Sequence, residues 1–159
     1  MNQLSASINP VSIIVVNFNA GRLLQDCISK CLEQSEQVIL VDNNSSDNSV
    51  EAIRTCFANE SRLNIISNDN NLGFAAGCNI GTEAASNEYC LYLNPDSELQ
   101  KNAVENLVSE FQICPLVGMT GGFLTNADGT EQGGGRRAIP TPWRSFVRAF
   151  GLTRFSNRW

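Results

Sequence analysis

Short runs of β-branched residues alternate with segments of helical periodicity along most of this chain. The runs 11–16 and 38–41 are apolar almost throughout, which is typical of strands covered on both faces. Each run leads into a polar loop, and apolar residues spaced three and four apart follow that loop, as in Leu24, Cys27 and Ile28. Such alternation predicts βαβ units, so we expect an α/β fold built on a mostly parallel sheet with helices on both faces.

The individual elements can be placed from the same periodicities. We predict strands at 11–16, 38–41, 63–66, 89–93 and 117–123, helices within 23–32, 48–57, 74–85 and 103–111, a hairpin-like turn at 126–129 and a flexible joint at 133–135. Asn48 and Glu51 fit a capping box at the start of the second helix. Gly77 and Gly81 lie one turn apart in the third helix, where each glycine costs about 1 kcal/mol. Their presence indicates close approach to a strand or a ligand.

Composition limits the classes of function. The 159 residues carry a net charge of −5 and no histidine, which argues against a general nucleic-acid partner. The polar N-terminus does not fit a signal peptide, and no apolar run approaches the roughly 18 residues of a membrane span. Six widely spaced cysteines fit buried thiols in a reducing cytoplasm better than disulfides or a zinc site, and Cys27 and Cys31 belong to an apolar helical stripe. We therefore expect a cytoplasmic protein.

Polar clusters follow three of the predicted strands, at 17–19, 42–47 and 94–96. Right-handed crossovers bring the carboxyl ends of parallel strands to one edge of the sheet, where ligands bind in such folds. Pro95 ends its strand, and Asn94 and Asp96 then offer an amide oxygen and a carboxylate to a hard cation such as Mg²⁺, which in turn holds a diphosphate. Alone, these three residues also fit a turn followed by a helix cap; the convergence of three clusters favours a site.

Four motifs in order carry a resemblance to a known family: 15–19 (VVNFN), 41–47 (VDNNSSD), 71–81 (NLGFAAGCNIG) and 93–96 (LNPD). With them the chain resembles a family-2 glycosyltransferase of the GT-A fold, and most of all the bacterial rhamnosyltransferase-like branch. The resemblance covers residues 11 to about 135 and implies a Rossmann-like sheet. It also implies transfer of a sugar, with inversion, from a UDP- or dTDP-sugar, dTDP-rhamnose among them, during synthesis of cell-surface polysaccharides. The acceptor it implies is a hydroxyl of a saccharide or lipid-linked saccharide.

The same resemblance implies roles for individual residues. Asp42 matches the acid that bonds the pyrimidine or ribose, and Asn94 and Asp96 occupy the D-x-D position that binds Mg²⁺ or Mn²⁺ between the two phosphates. The full set of expected nucleotide-sugar-binding residues is Asn17, Phe18, Asn19, Asp42, Asn44, Asn71, Gly73, Phe74, Gly77, Asn79, Asn94 and Asp96. A divalent metal stabilises the charge that develops on the departing nucleoside diphosphate.

The chain departs from the family pattern in two ways. Asn94 replaces the first acid of D-x-D, which removes one anionic metal ligand. No carboxylate follows Glu131, whereas inverting members supply a general base from a downstream acidic motif, so we assign no catalytic residue here. We interpret 1–135 as a nucleotide-sugar-binding core and the chain as a truncated form or fragment. A non-catalytic nucleotide-sugar-binding role stays open as the alternative.

Residues 136–159 form a tail in which six arginines are interleaved with aromatic residues. This pattern fits peripheral contact with the inner face of a membrane. The alternative, which the sequence favours slightly, is a connecting segment that packs on a missing acceptor half.

A dinucleotide-dependent oxidoreductase is the main competing enzyme class. It requires a G-x-G-x-x-G turn after the first strand, and 17–21 reads NFNAG instead. The glycine-rich, basic first loop of sugar-phosphate nucleotidyltransferases is absent as well.

Overall fold

The computed structural model describes residues 9–114, 116–126 and 128–132. Strands and helices alternate as β1 (Asn9–Asn17), α1 (Leu23–Leu32), β2 (Ser35–Asp42), α2 (Ser49–Cys56), β3 (Leu63–Ser67), α3 (Phe74–Glu83), β4 (Tyr89–Leu93) and α4 (Ala103–Ile113). The chain forms two compact units, 1–120 and 121–159, and all of these elements belong to the first. The predicted α/β class is confirmed, while the functional boundary placed at residue 135 stays a prediction.

The four strands form one parallel sheet in the order β3-β2-β1-β4. In register, Asn17 lies beside Asp42 of β2, and Val15 lies beside Leu93 of β4. The chain moves outward from β1 through β2 to β3 and then crosses to the other side of β1 for β4. The order therefore reverses between β1 and β4, which is the position where open α/β sheets bind ligands beyond their carboxyl ends.

The alternate residues of the central strands fill two separate apolar layers. On one face, Ile13, Val15 and Leu40 pack with residues of α1, α2 and α4, and on the other, Ile14 and Val41 pack against α3. Helices thus cover both faces, and this is why β1 and β2 carry apolar residues at nearly every position. Cys27 and Cys31 are buried free thiols within the first layer, as predicted.

The two glycines of α3 permit close contact between that helix and β1. A Cβ built on Gly77 would lie 2.7 Å from Cγ1 of Val16, and one on Gly81 would lie 2.4 Å from Cγ2 of Ile14. Both distances are shorter than real Cβ contacts. The predicted close approach is confirmed, and the neighbour that both glycines face is a strand.

Two local predictions are wrong. The expected strand at 117–123 does not form, and the described residues of unit 121–159 contain only an isolated antiparallel bridge between Thr125 and Glu131. The segment 117–123 has three glycines, and Met119 is 87% exposed, so it offers no continuous face to bury.

The expected capping box also fails, because Asn48 occupies the N-cap of α2 without a side-chain bond and Asp47 binds the first helical N–H instead.

The turn at 126–129 is confirmed, since Gly129 donates its N–H to the carbonyl of Asn126 at 2.9 Å and adopts a φ of 81°. The predicted joint at 133–135 and the basic, aromatic tail at 136–159 lie outside the described residues. Within the described ranges, no helix combines the length and apolarity that crossing a bilayer requires.

Candidate functional site

The three polar loops gather at the carboxyl edge of the sheet. Asn17 ends β1 and Asp42 ends β2 as register partners, and residues 94–96 follow β4 on the opposite side of β1. Asp42 and Asp96 therefore lie at the same edge and flank the loop that follows β1. The predicted convergence of the three clusters is confirmed by this register.

The side chain of Asn17 is fully buried, and its amide hydrogen-bonds to other residues of the protein. Its Nδ2 lies 2.9 Å from Oδ1 of Asp42, 3.0 Å from Oγ of Ser45 and 3.1 Å from Oγ of Ser49. Its Oδ1 accepts the N–H of Ala20 at 3.3 Å. A buried amide needs such partners, and here they join the ends of β1 and β2 to the start of α2.

The Asp42 carboxylate is fixed in orientation by its neighbours. It is 6% exposed. Oδ1 accepts from Asn17 and from the Ser45 hydroxyl at 2.6 Å, and Oδ2 accepts the Ser45 N–H at 3.1 Å. Each carboxylate oxygen has two lone pairs, so Oδ2 retains capacity for one further donor. Ser45 and Ser49 were not singled out from the sequence, although both lie within or beside the 41–47 motif.

Hydrogen bonds of Asn19 and Asp47 join the loop after β1 to the loop after β2. Oδ1 of Asn19 accepts the N–H groups of Ser46 at 2.8 Å and Asp47 at 3.3 Å, and Oδ2 of Asp47 accepts the N–H of Gly21 at 2.9 Å. The hydroxyl of Ser49, followed by the backbone N–H groups of Ser49 and Gly21, lowers the pKa of the Asp47 carboxyl from its usual value. These hydrogen bonds therefore favour the charged form of Asp47.

The loop before α3 carries several of the predicted binding residues. Gly73 has a φ of 83° and donates its N–H to Oδ1 of Asn71 at 2.9 Å, and Phe74 is 54% exposed. Gly77, by contrast, is buried against Val16, so its direct contribution is to helix packing. The remaining members, Phe18, Asn44 and Asn79, are exposed and have no side-chain hydrogen bond within the described ranges.

Asn94 and Asp96 project beyond β4 and are both exposed. The carbonyl of Asn94 accepts the N–H of Ser97 at 3.1 Å, whereas the Asp96 carboxylate has no hydrogen-bond donor among the described residues. Among all the residues that the structure describes, no three or more His, Cys, Asp or Glu side chains form a group suited to holding a metal ion. Mg²⁺ commonly takes one or two carboxylates and completes its shell with phosphates and water. The side-chain oxygens of Asn94 and Asp96 therefore fit a metal ion that binds together with a diphosphate.

Comparison with known proteins finds a matching family model and several similar proteins. The model of glycosyl transferase family 2 matches residues 12–157. The chain is 30% identical over 105 residues to the glycosyltransferase GlyG of Streptococcus pneumoniae, covering 64% of this chain and 35% of GlyG. It is 31% identical over 104 residues to the chondroitin synthase of Pasteurella multocida, covering 64% of this chain and 11% of the synthase.

Among solved structures, the chain resembles the crystal structure of S. aureus TarS 1–349 in complex with UDP-GlcNAc. The TM-score is 0.60 at 20% identity, over 77% of this chain and 37% of that chain. This likeness shows a GT-A-like fold. The chain thus spans little more than a third of the length of GlyG and of TarS 1–349.

Proposed function

Because the chain belongs to glycosyl transferase family 2, we propose that it binds a nucleotide-sugar and takes part in sugar transfer to an acceptor hydroxyl during bacterial polysaccharide synthesis. One observation carries the proposal. The register of β1 with β2 and β4 sets the buried Asp42 and the exposed Asp96 at one edge, on either side of the topological switch point. A nucleoside held at one side and a metal-bound diphosphate at the other would span this edge.

The nucleoside end of the donor is assigned to Asp42. Its Oδ2 is the oxygen with spare capacity, so it would accept an N–H of a pyrimidine or a ribose hydroxyl. A hydrogen bond to a charged group contributes about 1.5–3 kcal/mol. The orientation of that oxygen is already set by Asn17 and Ser45, so little ordering is needed when the ligand binds. Phe18, half exposed directly after β1, offers an apolar ring at the same edge of the sheet.

The diphosphate end is assigned to Asp96 and Asn94 with Mg²⁺ or Mn²⁺. When bound, such an ion would stabilise the negative charge that develops on the leaving nucleoside diphosphate. Asp96 would supply the anionic ligand and Asn94 a neutral oxygen. The exposure of both side chains supports this assignment, because neither must break a hydrogen bond to a described residue to reach the ion.

The sequence motifs support a more specific proposal for the sugar donor and the acceptor. A UDP- or dTDP-sugar, with dTDP-rhamnose as one candidate, fits the rhamnosyltransferase-like pattern, and inversion is the expected outcome. The TarS structure with UDP-GlcNAc supports a nucleotide-sugar donor of this general kind. We further propose a saccharide or lipid-linked acceptor and contact of residues 136–159 with the inner face of the cytoplasmic membrane.

Donor binding without transfer is the second candidate. The residues assigned above all serve binding of the nucleotide-sugar, and none of them is assigned as a general base. The two candidates share the donor site and differ only in turnover. A binding assay and a transfer assay on the same protein therefore distinguish them.

The test is a panel of UDP- and dTDP-sugars, with and without Mn²⁺, and with GDP-mannose as a purine control. A ligand at one hundred times its Kd stabilises a protein by about 2.7 kcal/mol, which corresponds to a rise in Tm of about 5–10 °C for a chain of this size. We expect one pyrimidine nucleotide-sugar to give this shift, and more strongly with Mn²⁺. Turnover of that sugar would favour transfer. No shift with any member of the panel would contradict both candidates.

A further inference from the structure

We propose that Ser45 is a positioning residue, whose hydroxyl holds the Asp42 carboxylate in the orientation that binds the nucleoside of the donor. It would thereby set the affinity for the nucleoside independently of the metal. This inference rests on the proposed function. Ser45 lies in the 41–47 motif, but none of the roles that the resemblance implies falls on it. Its side chain is half-buried beside Asp42.

Ser45 bonds both oxygens of the Asp42 carboxylate. Its hydroxyl donates to Oδ1 at 2.6 Å, and its backbone N–H donates to Oδ2 at 3.1 Å. The third donor is Nδ2 of Asn17, which lies 2.9 Å from Oδ1. The hydroxyl bond is the shortest of the three, and short bonds from a hydroxyl to an ionised oxygen are among the stronger ones. Without it, each oxygen would keep one longer bond, and the carboxylate would be less firmly oriented.

The same hydroxyl joins Asp42 to the loop after β1. Oγ of Ser45 accepts Nδ2 of Asn17 at 3.0 Å and the N–H of Asn19 at 3.0 Å. A serine hydroxyl has one hydrogen and two lone pairs, so these two bonds and the bond to Asp42 use its full capacity. It therefore has no bond left to offer the donor, which favours a role in positioning over direct contact.

Loss of this hydroxyl should be tolerated by the fold. Nδ2 of Asn17 carries two hydrogens and would keep Asp42 and Ser49 as acceptors. The bond from the Asn19 N–H is exposed, so water can take the place of Ser45 there. The substitution Ser45→Ala thus removes the shortest bond to Asp42 without leaving a buried donor unpaired.

The metal end of the site is separate from these contacts. The hydrogen bonds of the Ser45 hydroxyl go to Asp42, Asn17 and Asn19, and within the described ranges none reaches 94–97. Asp96 follows β4, which lies on the other side of β1 from β2. Ser45→Ala should accordingly weaken binding of the nucleoside and leave the gain from Mn²⁺ unchanged.

The experiment measures binding of UDP and of dTDP by calorimetry, with and without Mn²⁺. It compares wild type, Ser45→Ala, Asp42→Ala and the double variant. Ser46→Ala is the matched control, because Ser46 is exposed and its hydroxyl bonds Oδ1 of Asn19 at 3.4 Å instead of Asp42. We expect Ser45→Ala to weaken binding of the preferred nucleotide about 3- to 10-fold, the effect of about one hydrogen bond, equally with and without Mn²⁺.

The double variant distinguishes positioning from a general structural role. In the Asp42→Ala background, Ser45→Ala should change the affinity by about twofold or less, because no carboxylate remains to be oriented. A purely structural loss would add to that of Asp42→Ala. Ser46→Ala should bind as wild type does.

Hydrogen exchange of the unliganded protein gives a second measurement. The backbone N–H groups of Asn19 and of residue 45 bond Oγ of Ser45 and Oδ2 of Asp42, respectively. Both should lose protection in Ser45→Ala and keep it in Ser46→Ala.

Equal losses from Ser45→Ala in the two backgrounds, or unchanged affinity in Ser45→Ala, would overturn the inference. If wild type bound neither nucleotide, the proposed function would fail, and the exchange result alone would decide whether Ser45 orients Asp42. If Asp42→Ala did not fold, Asp42→Ser, whose hydroxyl can still accept from Asn17, would replace it as the background.

Discussion

Replacing Asp96 by asparagine is expected to abolish the effect of Mn²⁺ on nucleotide binding. In wild type we expect Mn²⁺ to strengthen UDP binding about 10- to 100-fold, which corresponds to about 1.4–2.7 kcal/mol. Asp96→Asn should bind UDP in Mn²⁺ only as tightly as wild type does in a chelator. The reason is that Asp96 is the anionic member of the proposed pair of metal ligands, and a neutral amide is a much weaker ligand for a hard divalent ion.

This substitution should leave the fold intact. Asp96 is exposed and has no hydrogen-bond donor among the described residues, and surface changes of this kind alter the free energy of unfolding by less than about 0.5 kcal/mol. The matched control is Glu98→Gln, which removes a carboxylate two residues away on the same loop and should keep the response to Mn²⁺. Isothermal titration with and without metal measures both. An Mn²⁺ response in Asp96→Asn equal to that of wild type would remove Asp96 from the metal site.

Replacing Gly81 by alanine is expected to destabilise the protein, even though alanine is the better helix former. The helix propensity of alanine favours the variant by about 1 kcal/mol. Against this, the new Cβ would lie 2.4 Å from Cγ2 of Ile14. Ile14 is 1% exposed in the middle of β1, and its branched side chain has little freedom to rotate away. Overpacking of this kind typically costs about 1–3 kcal/mol, and we expect it to exceed the gain.

Thermal and urea unfolding provide the measurement. Subtracting the gain in helix propensity leaves a net loss of up to about 2 kcal/mol, which at that limit corresponds to a fall in Tm of about 4–8 °C for a chain of this length. Gly118→Ala is the control, because a Cβ at Gly118 meets nothing within 4 Å, and its Tm should stay close to that of wild type. A Gly81→Ala variant as stable as wild type would mean that α3 can move away from β1 at little cost.

The architecture of the sheet could be predicted because its cause is local. A run such as 11–16, apolar at nearly every position, is stable only when both faces are covered, and this requirement leads to a parallel sheet between helices. The same reasoning failed at 117–123. Apolar residues there indicated a strand, but a strand also needs a partner and a buried face, and the glycines of this segment provide neither.

The candidate site could be predicted only in part. Topology alone brings Asp42 and Asp96 to one edge, so the sequence was sufficient for that statement. The bonds from Nδ2 of Asn17 to Asp42, Ser45 and Ser49 depend on side-chain geometry between residues 25 or more positions apart. No local pattern encodes such contacts. The assignment of Gly77 to the nucleotide-sugar site rests on the resemblance alone, and the Cβ position of Gly77 faces Val16.

The central claim is that a metal-bound nucleoside diphosphate lies at the carboxyl edge of this sheet, between Asp42 and Asp96. Paramagnetic broadening of backbone amide NMR signals by Mn²⁺ with UDP, referenced to Mg²⁺ with UDP, tests this directly. We predict the strongest broadening at Asn94, Asp96 and Ser97, weaker broadening at 43–47, and the least at Gln37 and Ser86, whose side chains meet at the opposite edge. Broadening centred on Gln37 and Ser86, or none that depends on UDP, would contradict the account.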